Sequence, residues 1–578
     1  MFGYHGRYLR VDVSRGKADY VTLDESVLRR FLGGSGLGVH VLLAEGAAAI
    51  DPLAPDAAIV FAFSPLVGSP LTTSAKFAVV SRSPLTERVN DSLASSGFAI
   101  AGKSCGCDAI VIVGRADKLS VLVIDDGVVD RGVDGGVRLE SAEEHRGATC
   151  RDTEAALRAR LGANFRIASI GPAGEHLVRY ATVSHDGRHA GRGGSGAILG
   201  AKNIKAIAVR GTQRVEWAHP RAVTELSRDL SKRSLGPATA KYRELGTATN
   251  LVTFNRFGAL PTRNFQSGTF EEAAALSPEQ LGATRAKTRA SCVACTIGCE
   301  HIYAGVRVEY ESLFALGSLC GIGDADAVLQ ASRRCDELGL DTISTGGTIA
   351  FAMECVERGW LDQPWLKFGS ADALLRAIEL IASREGIGDL LAEGSRRAAS
   401  VIGHDSIAIA PQVKGLEIPG YEPRALQTMA LGFAVGARGA DHNRSGAYEI
   451  DFSDKVDRRN VTLDAVRHAI ETEDKAALMD SLIMCKFLRG VFEDFYAETA
   501  AMLHTVTGWD VSADEMRETA RGIVAAKRQF NLLAGWTPAE DTLPERFLKT
   551  ALPNDPVASL SRERLDALVA EYHRQRGW

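Results

Sequence analysis

The sequence predicts an α+β protein, with a β-rich N-terminal domain followed by two mainly α-helical domains. Three observations carry this. Before about residue 211, short β-rich runs alternate with glycine turns. After it, long segments repeat apolar residues at helical spacing. The 578 residues leave room for three or four domains of roughly 150 residues each. The expected divisions are 1–211, 212–405 and 406–578.

In the first domain the runs are YLRVDV, AAIVFAF, AKFAVVS, CDAIVIVG, LSVLVID, FRIASIG and IKAIAVRG. Their length and the turn residues between them favour sheets over a helical bundle. In the second, DADAVLQASRRCDEL (324–338) places Ala327, Val328, Ala331 and Leu338 on one face. Gly339 follows as a left-handed C-terminal cap. TISTGGTIAFAMECVERGW (342–360) and DEMRETARGIVAAKRQFNLLAG (514–535) also read as helices.

Composition narrows the function classes. A net charge of −5 gives no electrostatic case for nucleic acid or an anionic membrane. No run of about 18 apolar residues predicts a membrane span. MFGYHGRYLRVDV lacks the apolar core and cleavage site of a signal peptide. Ten cysteines in such a chain favour a reducing, cytoplasmic setting with metal or core roles over a disulfide scaffold. Cys105, Cys107, Cys150, Cys320, Cys335 and Cys355 are scattered and read as small buried side chains.

Two glycine motifs invite nucleotide readings. GFAIAGKS (97–104) matches the phosphate-binding loop G-x4-G-K-S. That mechanism needs a strand before the loop and a helix after it. Here polar ERVNDSLASS precedes and the strand-like CGCDAIVIVG follows, so the order is read as inverted and the match as chance. GSGAILG (194–200) resembles a dinucleotide fingerprint, but no strand is expected just before it and no ribose-binding acid after it. It reads either as tight turns or as backbone amides that approach an anionic group beside Arg188 and Arg192.

The most specific local signal is SCVACTIGCE (291–300), with Cys292, Cys295 and Cys299 spaced C-x2-C-x3-C. Structural zinc uses paired C-x2-C or Cys/His units, and no second pair follows. Iron–sulfur clusters often take three cysteines from one loop and one from elsewhere, which favours that reading. The spacing differs from C-x3-C-x2-C. Cys485, in MDSLIMCKF, is the best remote fourth ligand. CDELGLD (335–341) sets Asp336 and Asp341 about a helix junction, where a carboxylate can accept paired N–H bonds from a flat heterocycle such as a pterin. Asp480 stands five residues before Cys485, so one segment can reach both groups. For each Asp taken alone, helix capping is the competing reading.

These residues lie in a longer co-linear pattern: GRYLRVDVSRG, AKFAVVSRSPLT, DAIVIVGRA, IASIGPAGEHLV, GRGGSGAILGAKNIKAIAV, CVACTIGC, EYESLFALG, CDELGLDTISTGGTIAFAME, EGIGDLLAEGS, ARGADHNR and DTLPERFL. Over most of its length the chain resembles the tungsten-containing aldehyde:ferredoxin oxidoreductase family. The resemblance implies a β-rich base carrying two pterins, under two helical domains. Tungsten or molybdenum would be held by the pterin dithiolenes and by no side chain, with Mg2+ joining the pterin phosphates. It implies one [4Fe-4S] cluster on Cys292, Cys295, Cys299 and Cys485. Asp336, Gly339, Leu340 and Asp341 match the first pterin motif. Asp480 and Cys485 keep the ends of the second, with Ile483-Met484 in place of the usual Gly-Leu. Arg188 and Arg444 match further basic pterin contacts, and His189 is a contributor at the magnesium. Lys76 stands where an arginine is usual between cluster and pterin; it keeps the charge and loses the planar fork. Gln330 replaces a carboxylate found near the cavity in some members.

Glu311 and His442 match the family's acid/base residues. The implied reaction is an aldehyde plus water giving a carboxylic acid. Electrons would leave through the cluster to ferredoxin or an iron–sulfur subunit, in a homodimer or hetero-oligomer. Same-fold alternatives are hydroxycarboxylate chemistry and aromatic acyl-CoA reduction. A zinc-stabilised, non-catalytic scaffold is the alternative from a different class.

Overall fold

In the computed structural model, which describes residues 1–126 and 136–578, the N-terminal half holds two six-stranded sheets. The first contains β1 (Arg7–Asp12), β2 (Lys17–Thr22), β3 (Ile59–Ala62), β4 (Lys76–Arg82), β5 (Val89–Ser95) and β6 (Ala109–Val113), in the order β2-β1-β6-β3-β4-β5. The second contains β7 (Ser120–Asp125), β8 (Val137–Ser141), β9 (Arg166–Ser169), β10 (Val183–His185), β11 (Arg188–Ala190) and β12 (Ile204–Arg210), in the order β11-β10-β9-β12-β7-β8.

Period-two alternation decides what each sheet buries. Leu9, Val11, Ile59, Phe61, Phe77, Val79, Ile110 and Ile112 point between the sheets and meet Leu122, Ile124, Ile207 and Val209. The intervening residues Val60, Ala62, Ala78, Val80, Val111 and Val113 form the outer face of the first sheet. That face is covered by helix Gly34–Ala44 and by C-terminal helices Asp464–Leu482, Phe495–Thr507 and Ala513–Leu533. Gly38 allows the close approach: a Cβ there would lie 2.4 Å from Val80 Cγ2. Fully apolar strands sandwiched on both faces explain why their sequences read as near-continuous hydrophobic runs.

All seven expected runs are strands, and the three expected helices appear as Ala325–Leu338, Thr342–Glu357 and Ala513–Leu533. Asp324 caps the first of these, and Gly339 ends it with φ 78°. The six scattered cysteines are buried thiols. In the helical half, one apolar core joins residues on both sides of 405, including Leu374 and Leu391 with Leu431 and Leu565. Among the described residues no single helix is long and apolar enough to cross a membrane.

Two expectations fail. The polar stretch before GFAIAGKS is β5, and GFAIAGK is itself the helix Gly97–Lys103. β5 is an edge strand whose polar groups are satisfied by other segments: Asn90 Nδ2 donates to Ser195 Oγ (3.1 Å) and Ser92 Oγ to the Arg192 carbonyl (2.6 Å). The nucleotide reading still falls, because Lys103 is buried and donates to the carbonyls of Gly3 (2.8 Å) and Ser64 (2.5 Å). Likewise a short strand, β11, does precede helix Ser195–Ala201.

Candidate active site

A cavity of about 840 Å³ lies where the edge strand β5, the GRGGSG turn and the helical half meet. Its lining includes Lys76, Arg188, His189, Cys292, Cys295, Cys299, Glu311, Asp336, Leu340, Asp341, His442, Arg444, Asp480 and Cys485. Of the residues singled out in the sequence, Gly339 sits just behind this wall, donating shape through its left-handed turn and a carbonyl that accepts from Thr182 N–H at 2.8 Å. Gln330 is a correction: it is solvent-exposed on helix Ala325–Leu338 and does not line the cavity.

The four thiols line the same cavity, and a residue that the sequence did not flag links the two segments that carry them. Thr73, at φ 69°, donates its N–H to the Ala294 carbonyl (2.5 Å) and accepts the Cys485 N–H on Oγ1 (3.2 Å). It thereby ties the cysteine loop to a segment 190 residues away. Thr72 Oγ1 reinforces the junction by meeting Thr296 Oγ1 at 2.8 Å. The thiols interact: Cys292 is pulled down by a hydrogen bond with Cys295, with the Arg188 and Lys76 charges adding to it. Burial and the neighbouring Cys485 push Cys299 up.

Around the pterin-motif carboxylates, Asp341 caps helix Thr342–Glu357 by accepting the Ser344 N–H at 3.1 Å. It also lies 3.6 Å from Arg192 Nε. Asp336 faces His189 at 3.4 Å, and burial pushes its carboxyl up to about 6 and the His189 imidazole down to about 3. Both Asp480 oxygens meet cations, Lys486 at 2.9 Å and Arg444 at 3.1 Å. Arg444 then reaches Asp91 (2.9 Å), which also holds Lys527 (2.7 Å) and faces Arg438 (3.7 Å). Burial alone would raise the Asp91 carboxyl, but Arg444, Lys527 and Arg438 outweigh it and hold it far below the usual range.

Glu311 and His442 face each other at the opposite end. Glu311 opens helix Tyr310–Leu316, and His442 follows Asp441, which caps the short helix His442–Ser445. Glu311 Oε2 accepts the Gly420 N–H at 3.0 Å, and Oε1 lies 3.5 Å from His442 Nε2. Only glycine fits at 420, since a Cβ would sit 2.7 Å from the Tyr310 ring. Burial pushes the Glu311 carboxyl up to about 8 and the His442 imidazole down to about 3. At neutral pH the contact therefore joins a carboxylic acid to a neutral imidazole. Asn443 Nδ2 donates to His442 Nε2 at 2.9 Å, which leaves the ring proton on Nδ1. Among the described residues, Glu311 Oε1 and His442 Nδ1 are buried and have no hydrogen-bond partner. Such unspent polar atoms in a cavity are what a reacting ligand would satisfy.

Comparison with known proteins decides the family. A model of the aldehyde ferredoxin oxidoreductase N-terminal domain matches residues 8–211, and one of domains 2 and 3 of the same enzymes matches residues 223–578. The chain belongs to the aldehyde ferredoxin oxidoreductase family. It is 37% identical to the tungsten-containing aldehyde ferredoxin oxidoreductase of Pyrococcus furiosus over 599 residues, covering 100% of this chain and 97% of that protein. The Thermococcus kodakarensis enzyme gives the same identity and coverage. The WOR-like subunit of the aliphatic sulfonate oxidoreductase of Pyrococcus furiosus is 29% identical, covering 100% of this chain and 95% of that protein. The active-site complex BamBC of benzoyl coenzyme A reductase shares the fold, with a TM-score of 0.83 at 21% identity, covering 100% of this chain and 95% of that one.

The protein is therefore an oxidoreductase of a tungsten-containing family named for ferredoxin as acceptor, and membership implies a tungsten–pterin cofactor. The cavity of this aldehyde ferredoxin oxidoreductase homologue fits such a group. Lys76, Arg188, Arg192, Arg438, Arg444 and Lys486 line it, a set of cations that would face the phosphates of such a group. Among the described residues, Arg192 Nε and Arg438 Nε are buried without hydrogen-bond partners.

Asp91, Thr73, Arg438 and the aromatic residues of the cavity were missed from the sequence. Only Asp91 carried a signal: a lone charge in VNDSLAS, a segment that could be read as a strand, must be buried against cations or lie on an open edge.

Proposed function

We propose that the protein oxidises an aldehyde with water to a carboxylic acid, releasing two electrons and two protons, at a tungsten or molybdenum bis-pterin centre. The observation that carries this is the buried Glu311–His442 pair, 3.5 Å apart, with unspent polar atoms in the same cavity as the four cysteines. When bound, the tungsten–pterin group supplies the two-electron acceptor and a [4Fe-4S] cluster on Cys292, Cys295, Cys299 and Cys485 supplies a one-electron relay. Asp336, Leu340, Asp341 and Gly339 form one pterin seat. Asp480, Arg444, Arg188 and Lys76 would form the other, and His189 would contribute to holding a Mg2+.

The chain's own part is proton handling and orientation. His442 donates Nδ1–H to the carbonyl oxygen, a neutral donor suited to a polarising bond. Glu311, once ionised, takes the proton from the water that adds to the carbonyl carbon. The acceptor we propose is ferredoxin or an iron–sulfur subunit. The cysteine loop supports this: Val293 in it is 41% exposed, and the adjoining strand Lys287–Ala290 presents Lys287 and Arg289 to solvent. Such a local positive rim on a chain of net charge −5 suits an acidic redox protein. We propose three domains, divided at 211 and 405, the second and third sharing one apolar core.

Anaerobic purification with metal analysis and an aldehyde assay tests the reading. About four irons and one tungsten or molybdenum per chain are expected. Glu311→Gln should keep the metals and lose turnover by about 10²-fold or more. Zinc alone, with no pterin, would sink it.

A further inference from the structure

The mouth of the cavity is built from aromatic rings. Phe257 and Phe452 are exposed at 45% and 37%, and their rings meet at 5.6 Å. Phe452 stacks on buried Phe254 with centroids 5.1 Å apart and planes 1° from parallel. Phe254 then meets Tyr421 at 5.1 Å, and Tyr421 stacks on His442 at 4.7 Å. A continuous ring-lined wall thus runs from solvent to the acid/base pair, and all of these residues line the same cavity. From the segment that carries Phe254 and Phe257, the uncharged Thr247, Asn250 and Thr253 also line the cavity, and Arg458 lies over the Phe257 ring, 5.4 Å from its centroid. Glu449, the carboxylate beside this wall, is already paired with Arg489.

Packing alone does not account for this arrangement. Phe257 is partly accounted for by its contact with Arg458, but Phe452 leaves apolar surface in water at the rim of the pocket. Tyr421 spends its ring face on the functional histidine. Aromatic rings favour offset-stacked and edge-to-face partners at centroid distances of about 4.5–7 Å, and a flat guest gains from several such contacts at once. Straight-chain or anionic guests gain less.

Resting on the aldehyde reading above, we propose that this wall makes the enzyme selective for aldehydes that carry an aryl ring. The ring would lie along Phe254 and Phe452 while the carbonyl reaches Glu311 and His442.

The test compares phenylacetaldehyde, cyclohexylacetaldehyde and acetaldehyde on the anaerobically purified holoenzyme. The saturated ring matches the aryl ring in size and lacks its π face. kcat/KM should be about tenfold higher for phenylacetaldehyde than for cyclohexylacetaldehyde, and higher again than for acetaldehyde. Phe254→Leu and Phe452→Leu should each cut the aryl-over-cyclohexyl ratio about three- to fivefold, mainly through KM. Isothermal titration with the product phenylacetate gives a readout independent of turnover: its advantage over cyclohexylacetate in binding should shrink in the same variants. Turnover of all three aldehydes with no aryl preference, or a preference that both variants retain, would overturn the inference and leave the aldehyde reading standing. Full metal content with no turnover of any aldehyde would remove the aldehyde reading, and this inference with it.

Discussion

Behind one end of the cavity, Arg444, Arg438 and Lys527 converge on Asp91, and the four cysteines line the cavity in front. At the other, rings run from Phe257 at the surface to Tyr421 on His442. The first end is held by charge and tolerates little change, because each buried ion depends on its partners. The second is held by packing, and a ring can be exchanged at modest cost. The difference teaches where a fixed cofactor and a variable substrate belong: rigid, pre-paid charges suit a permanent anionic group, and a neutral aromatic surface suits a guest that must leave.

The strongest way to break that contrast is Asp91→Ala. It strands buried cations and should cost about 3–5 kcal/mol of stability, read by chemical denaturation of the purified chain. Phe254→Leu, which keeps most of the buried volume, should cost about 1.5 kcal/mol or less. Equal losses would show that the two ends are not built on different principles.

A pH profile probes the junction between the ends. A base must be ionised to act, and burial pushes the Glu311 carboxyl up to about 8. Its ionised fraction falls with each unit of pH below that value. The expected kcat/KM for an aldehyde therefore rises about tenfold per pH unit up to about 8 and flattens above it. His442, pushed down to about 3, stays neutral across the whole range and adds no second limb. A flat profile between pH 6 and 8 would remove Glu311 as the base.

The charged rim is a softer test. Lys287→Glu combined with Arg289→Glu should raise KM for ferredoxin about tenfold at low salt, and less as salt screens the surface. Turnover with a small uncharged dye should hardly change, since both side chains lie outside the cavity. An unchanged ferredoxin KM would move the docking face elsewhere.

Much of the ionic end was legible in the sequence, because its residues sit in short, fixed spacings: three cysteines in eight positions, paired aspartates about a helix junction, Asp480 just before Cys485. Glu311 and His442 were legible only through their neighbours EYESLFALG and ARGADHNR. Thr73 and Asp91 were not, because their roles exist only once distant segments meet: Thr73 contacts residues 294 and 485, and Asp91 contacts 438, 444 and 527. The aromatic wall was hidden for the same reason. Phe254, Tyr421 and Phe452 are separated by up to 198 residues, and each taken singly reads as core. β5 was misread because polar residues on an edge strand look like a loop when the partners that satisfy them lie elsewhere in the chain.

Ile483 gives a small effect and the finest reading of the ionic end. It ends helix Asp464–Leu482 with φ 64° and ψ 40°, a left-handed conformation that a β-branched residue rarely adopts. The turn is needed there because it swings the chain from Asp480 toward Cys485. Its side chain is fully buried, and a Cβ on the facing Gly34 would lie 2.6 Å from Ile483 Cδ1. Two terms thus oppose each other in Ile483→Gly. Releasing the left-handed strain recovers about 1–2 kcal/mol. Losing the buried side chain costs about 2–4 kcal/mol. The net loss should be about 1–2 kcal/mol, below that of Asp91→Ala, with iron content unchanged because the turn itself is preserved. A loss of 4 kcal/mol or more, or a fall in bound iron, would mean that the isoleucine side chain, and not the turn, holds Cys485 against the other three thiols.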